Sequence, residues 1–130
     1  MATLTRILNV AFAASVIATA PAVAQEKYPT KPIRIIVGAA AAGPTDIVAR
    51  LLGERMGKSM NTNFIVENRG GGGGVIASED VARAPADGYT LLMGSVSTHG
   101  INPSLYKKLN YDAIKDFAPI SAVVSYPMVV

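Results

Sequence analysis

Apolar and polar positions fall in blocks along this chain, and the period changes from block to block. Pro32-Ile33-Arg34-Ile35-Ile36-Val37 is a near-continuous β-branched run, as expected of a strand covered on both faces. Gly38 to Gly43 is a loop of small residues. Pro44 to Met60 reads as a helix, because Ile47, Val48, Leu51, Leu52 and Met56 build one apolar stripe while Arg50, Glu54 and Lys58 fall elsewhere. Phe64-Ile65-Val66 is a second strand, followed by Glu67-Asn68-Arg69 and the consecutive glycines Gly70 to Gly74. A second helix runs from about Val75 to Ala84 and is stopped by Pro85. Ala86-Asp87-Gly88 is a turn, Thr90 to Gly94 a third strand, Ser95 to Gly100 a polar loop, and Ile101 to Tyr106 a short helical turn. Ile120 to Val124 reads as a fourth strand, and Met128 to Val130 begins another extended run.

Strand, loop and helix in repetition predict βαβ units, hence an α/β fold with a parallel sheet and right-handed crossovers. Ligands of such sheets bind beyond the carboxyl ends of the strands. All three loops of unusual composition are expected there.

The first residues follow another logic. Met1 to Arg6 carries one positive charge, Ile7 to Ala20 is almost wholly apolar, and Ala22-Val23-Ala24 is an A-x-A pattern. This is the layout of a secretory signal peptide over residues 1–24; the apolar stretch is shorter than the roughly 20 residues needed to span a bilayer. Cleavage after Ala24 would remove Arg6 and leave 11 basic against 9 acidic residues. That weak field, with Lys107-Lys108 as its only adjacent basic pair, does not suit nucleic acid. The absence of cysteine excludes thiolate metal sites, and a single histidine excludes a multi-histidine zinc site. No cofactor is implied.

Gly43-Pro44-Thr45-Asp46 carries the first candidate chemistry. Proline suits the first helical position, so Gly43 is the expected N-cap, and free amides at the positive end of the helix dipole form a natural anion site. A plainer reading has Asp46 only complementing that dipole. Gly73 and Gly74, at the end of the glycine run, can aim amides at a ligand from a second helix N-terminus, or simply form a loop. Gly72 to Ala77 formally fits G-x-G-x-x-A, but the acidic residue expected some 20 positions later is missing. Gly57-Lys58-Ser59 closes a helix, with Leu52 where a phosphate-binding loop needs its first glycine. Ser95, Ser97, Thr98 and His99 can donate to a carboxylate. A hydrolase triad of Ser95 or Ser97 with His99 and Asp46 lacks the G-x-S-x-G elbow, and its serine and histidine share one loop.

Several segments resemble one family. They are Tyr28 to Arg34, Thr45 to Arg50, Val66-Glu67-Asn68-Arg69 with glycines, Asp87 to Gly94, Thr98 to Tyr106, Tyr111-Asp112 and Lys115 to Ile120. In this order and spacing they resemble the Bug family, the extracytoplasmic receptors of tripartite tricarboxylate transporters. The resemblance implies a periplasmic-binding-protein-like (type II) lobe, a parallel or mixed sheet flanked by helices, with the second lobe missing. Residues 25–130 would be the first lobe, truncated near the crossover. The implied function is capture of a small carboxylate (a di- or tricarboxylate, acidic amino acid or aromatic acid) in the periplasm for membrane transporter subunits. Gly43 to Asp46, the glycine turn and Ser95 to His99 would line one wall of the cleft. The rival readings are a small α/β hydrolase or nucleotide-dependent enzyme, or a non-functional truncated receptor. One loop departs from the family: where Pro-Phe-x-Pro-Gly-Gly-x-x-Asp is usual, this chain has Gly38-Ala39-Ala40-Ala41-Ala42-Gly43-Pro44-Thr45-Asp46. Fewer prolines imply a looser loop, and alanine takes positive φ less cheaply than glycine, so the departure bears on affinity more than on fold.

Overall fold

A computed structural model describes residues 27–125; the signal segment at 1–24 and the extended run at 128–130 lie outside them. Strand β1 (Ile33–Val37) is central, with β2 (Phe64–Asn68) on one side and β3 (Thr90–Met93) on the other, both parallel to it. Ile33, Ile35, Ile36 and Val37 are all buried, so the β-branched run is covered on both faces as its composition predicts.

Helix α1 (Pro44–Met60) connects β1 to β2, and α2 (Val75–Ala82) connects β2 to β3. The first connection runs from β1 to β2 and the second runs back from β2 past β1 to β3, so they move across the sheet in opposite directions and right-handed crossovers put the helices on opposite faces. Ile35 and Val37 pack with Ala49 of α1 and with Phe64, Val66, Leu91 and Met93. On the other face a Cβ added to Gly38 would lie 3.3 Å from the Ala77 Cβ of α2. The chain order β2-β1-β3 makes the β1/β3 boundary a topological switch point, where the loops leaving adjacent strands part to opposite faces.

Helix α1 has the bounds its sequence predicts, but it does not seat on the whole predicted stripe. Its buried line is Asp46, Ala49 and Gly53, while Ile47 and Leu51 are 59% and 53% exposed. The reason is proximity. A Cβ on Gly53 would be 3.1 Å from the Phe64 Cβ, so the helix lies close to the sheet on small residues and turns Ile47 and Leu51 outward. The helix ends on Asn61 in the left-handed region (φ 50°), whose N–H donates to the Gly57 carbonyl, a recurrent helix stop.

The expected fourth strand does not form. Residues 120–125 have no ladder partner, and Ile120 is 80% exposed. Strand propensity alone does not make a strand without a ladder partner, and these residues dock on neither open edge of the sheet, the outer side of β2 or of β3. The short turn after β3 comprises a π-helical turn (Ser97–Ile101) leading into α3 (Asn102–Leu105). At the opposite end of the sheet, the Tyr28 hydroxyl donates to the Gly88 carbonyl at 2.8 Å and the Thr30 N–H donates to the Tyr89 hydroxyl at 2.8 Å. These bonds pin the lead-in segment far from the loop cluster.

Candidate functional site

The three loops predicted from composition meet at the carboxyl ends of the strands. Gly38 and Gly74 approach so closely that a Cβ on Gly38 would sit 2.9 Å from the Gly74 Cα. Gly74 has φ +88°, and its own Cβ would come within 2.6 Å of Thr98 Cγ2. Only glycine fits such a backbone so near its neighbours. Gly73 is tied in by Asn102, whose Nδ2 donates to the Gly73 carbonyl at 3.1 Å. The glycine run is therefore a tight left-handed turn wedged between the other two loops.

The N-termini of both α1 and α2 carry no side-chain cap; their N-cap residues are Gly43 and Gly74. Gly43 and Pro44 stand where the sequence predicts, and Thr45 lies in the uncapped first turn. First-turn amides without a capping oxygen carry partial positive charge and favour an anion.

Asp46, which the resemblance would put on the cleft wall, turns inward. It is 2% exposed, and its two carboxylate oxygens are already satisfied. Oδ2 accepts from the Ala42 N–H at 2.8 Å and from Arg50 Nε at 3.0 Å, and Oδ1 accepts from Asn68 Nδ2 at 2.9 Å. The Arg50 guanidinium also lies 3.0 Å from Oδ1. These donors, Arg50 first, then the Ala42 amide and Asn68, hold the carboxyl down to a pKa of about 2. An ion pair so engaged orients no histidine, so the Ser–His–Asp arrangement is not assembled. Sequence reasoning missed Asn68 and Arg50 as shapers of this loop; the signal available was Arg50 one helical turn beyond Asp46.

Asn68 Nδ2 also donates to the Ala39 carbonyl at 3.3 Å, and Arg50 Nη2 donates to Asn68 Oδ1 at 3.0 Å. Ala42 itself has φ +62°, a conformation that costs a non-glycine residue roughly 1–2 kcal/mol. The expected penalty of an alanine-built loop is thus localised at a single residue.

In the third loop Thr98 is buried and works as a hub. Its Oγ1 accepts from the Ser95 N–H at 2.9 Å, donates to the Ser95 carbonyl at 2.9 Å, and lies 2.8 Å from His99 Nδ1. Tyr111 donates to the Thr98 carbonyl at 2.6 Å. Thr98 therefore shapes the loop, while Ser95 and His99 remain exposed at its surface and Ser97 is half-buried. The His99 ring meets Phe117 edge-on at 4.9 Å between centroids. Partial desolvation of the ring lowers its pKa below the ordinary histidine value. His99 also borders a concavity of about 650 Å³ with Tyr106, Lys107, Asn110 and Tyr111. Asn102 and Tyr111, both buried, were not singled out from sequence; their Thr-His-x-x-Asn and Tyr-Asp contexts were noted only as part of the resemblance.

Of the predicted residues, the structure brings together Gly74, Thr98 and His99, with Gly73 held through Asn102. Gly43 caps α1, Pro44 and Thr45 begin it, and Asp46 faces inward. Among the described residues no group of His, Cys, Asp and Glu is gathered for a metal ion.

Residues 48–130 match the family model described as tripartite tricarboxylate transporter family receptor. The BugT protein of Bordetella pertussis is 38% identical over 108 residues, 82% of this chain and 33% of its own length. A solved periplasmic transporter is 49% identical, with TM-score 0.66, over 68% of this chain and 30% of that one. MatC from Rhodopseudomonas palustris, solved with bound malate, is 40% identical, with TM-score 0.71, over 74% of this chain and 33% of its own. The chain spans about a third of the length of the curated relatives it matches.

Proposed function

Because the chain belongs to the tripartite tricarboxylate transporter receptor family, the Bug receptors, we propose that it supplies one wall of a periplasmic carboxylate-binding cleft. The observation that carries this reading is the packing of the glycine turn between Gly38 and Thr98 at the carboxyl ends of a parallel sheet, with the uncapped N-terminus of α1 ending the loop that leaves β1. A carboxylate set there meets first-turn amides of α1 around Thr45, the Gly73 amide of the glycine turn, whose neighbour Gly74 donates its own N–H to the Gly71 carbonyl at 3.0 Å, and the Ser95, Ser97 and His99 side chains. Backbone dipoles do the work a cationic side chain does elsewhere, since the nearby guanidinium of Arg50 is engaged by Asp46 and Asn68 and that of Arg69 by Glu67 and Asp80.

In this proposal residues 1–24 direct export and are cleaved, and residues 25–130 form the first ligand-binding lobe. A facing lobe closes over the ligand by a hinge motion, and the closed form is what membrane transporter subunits read. The family is one of receptors, and the reading includes no chemical step. Substrates are small di- or tricarboxylates, acidic amino acids or aromatic acids. The test is titration calorimetry with malate, citrate, aspartate and benzoate beside malonamide, an uncharged control. Saturable binding of at least one acid, with no heat from the amide, is expected. Heat from the amide equal to that from the acids, or from none of the five, overturns the reading.

A further inference from the structure

The turn that precedes α1 is built against its own sequence. The Gly43 N–H donates to the Ala40 carbonyl at 3.3 Å, closing a four-residue turn whose third residue, Ala42, has φ +62°. Such a turn asks for glycine at that position. Alanine stands there instead, and its amide points at a buried carboxylate four residues on, at 2.8 Å. Asn68 ties the same carboxylate to the Ala39 carbonyl, and Arg50 closes the triangle between Asp46 and Asn68.

We propose that Asp46 is a positioning residue that holds Ala42 in its left-handed conformation, fixing the turn of residues 40–43 so that the first amides of α1 face a bound carboxylate. The proposal rests on the reading of this loop as part of a carboxylate cleft. Asp46 touches no ligand itself. It substitutes for the glycine that the turn lacks, and Arg50 and Asn68 keep its oxygens aimed at Ala42. Every donor it needs comes from the chain, so its charge is internally balanced and does not repel an incoming anion.

The consequence is a specific pattern of rescue. Asp46→Asn turns an N–H toward donors and frees Ala42 to leave the left-handed region. Binding of malate, measured by calorimetry, then weakens by about tenfold, because the competent turn is populated only part of the time. Ala42→Gly alone leaves affinity within about twofold, since glycine takes the conformation unaided. In the double variant glycine makes the carboxylate dispensable, and affinity returns most of the way. A double variant as weak as Asp46→Asn would mean that Asp46 contacts the acid directly, and the proposal falls. A second readout needs no ligand: amide hydrogen exchange at Ala42, slow in the unaltered chain, accelerates in Asp46→Asn. Unchanged exchange there sinks the proposal, whereas changed exchange in a chain that binds none of the acids sinks only the cleft reading. If Asp46→Asn fails to unfold cooperatively, recovery of cooperativity in the double variant supports the turn-specific role. Failure of both variants assigns Asp46 to the fold as a whole and overturns it.

Discussion

At the scale of single residues the site is governed by a few positions where backbone shape and packing leave no choice. Gly74 is the clearest. Its φ of +88° and the 2.6 Å approach of Thr98 Cγ2 to any added Cβ combine a conformational and a steric cost. Gly74→Ala is expected to destabilise the chain by about 2–4 kcal/mol, read as a lower midpoint in urea with unchanged slope; a midpoint equal to that of the unaltered chain would refute the close packing of the two loops. Ala42 makes the opposite case. Ala42→Gly removes a left-handed alanine and should raise stability by up to about 1 kcal/mol, the unfolded-state entropy of glycine taking back part of the gain. How much of this was legible follows the same division. The sequence marks Gly43, Pro44, the glycine run and the Ser95–His99 loop, because their composition is unusual in itself. It does not mark the inward turn of Asp46 or the hub role of Thr98, because both depend on hydrogen bonds to partners such as Asn68 and Tyr111 that are distant along the chain.

At the scale of elements, β1 and α1 illustrate when periodicity suffices. The unbroken β-branched run of β1 predicts a strand covered on both faces, and Ile36 is fully buried on the side away from Ile35. Ile36→Ala is expected to cost about 2–5 kcal/mol. Unfolding by heat, followed by far-ultraviolet circular dichroism, should show the loss, and a variant melting with the unaltered chain would mean that α2 does not cover that face. For α1 the period predicts the helix and its bounds, but not the depth at which it seats. Ala49 and Gly53 let the backbone approach the sheet, which no count of apolar residues reveals. The helix stop is equally local: Asn61 is left-handed at φ 50°, so Asn61→Gly should be neutral or stabilising by a few tenths of a kcal/mol, and Asn61→Val should destabilise. The mistaken fourth strand at residues 120–124 shows the converse limit. Strand propensity is visible in sequence, while whether a run docks on an open edge, such as the outer sides of β2 and β3, belongs to the tertiary structure.

At the scale of the whole molecule two polar networks, one on each helix, join α1 and α2 to the sheet. Arg34 of β1 donates to both oxygens of Glu67 on β2, at 2.7 and 2.9 Å. Arg69 bridges Glu67 to Asp80 of α2 at 3.3 and 3.2 Å, and Asp46 ties α1 to β2 through Asn68. Hydrogen bonding from Arg34 holds Glu67 down to about 2, as the donors around Asp46 do for that carboxyl. In the unfolded chain these groups titrate near their ordinary values of about 4. Folded carboxylates with depressed pKa values bind fewer protons than unfolded ones, so their stabilisation is complete above about pH 5 and is withdrawn as the pH falls through the folded values near 2. His99 acts in the same direction at higher pH. Its folded value lies below the usual 6.5, so the unfolded state takes up a proton first as acid is added. Stability should therefore decline gently below about pH 6.5 and steeply between about pH 5 and 2. Urea unfolding at pH 7, 5 and 3 tests this, and a midpoint at pH 3 equal to or above that at pH 5 would contradict these networks. His99→Gln should remove the gentle limb and leave the steep one. Glu67→Gln, which removes one depressed carboxyl and leaves Arg34 without its partner, should lower stability at pH 7 and flatten the fall in acid. Loss at pH 7 with an undiminished acid slope would place the titrating groups elsewhere in the fold.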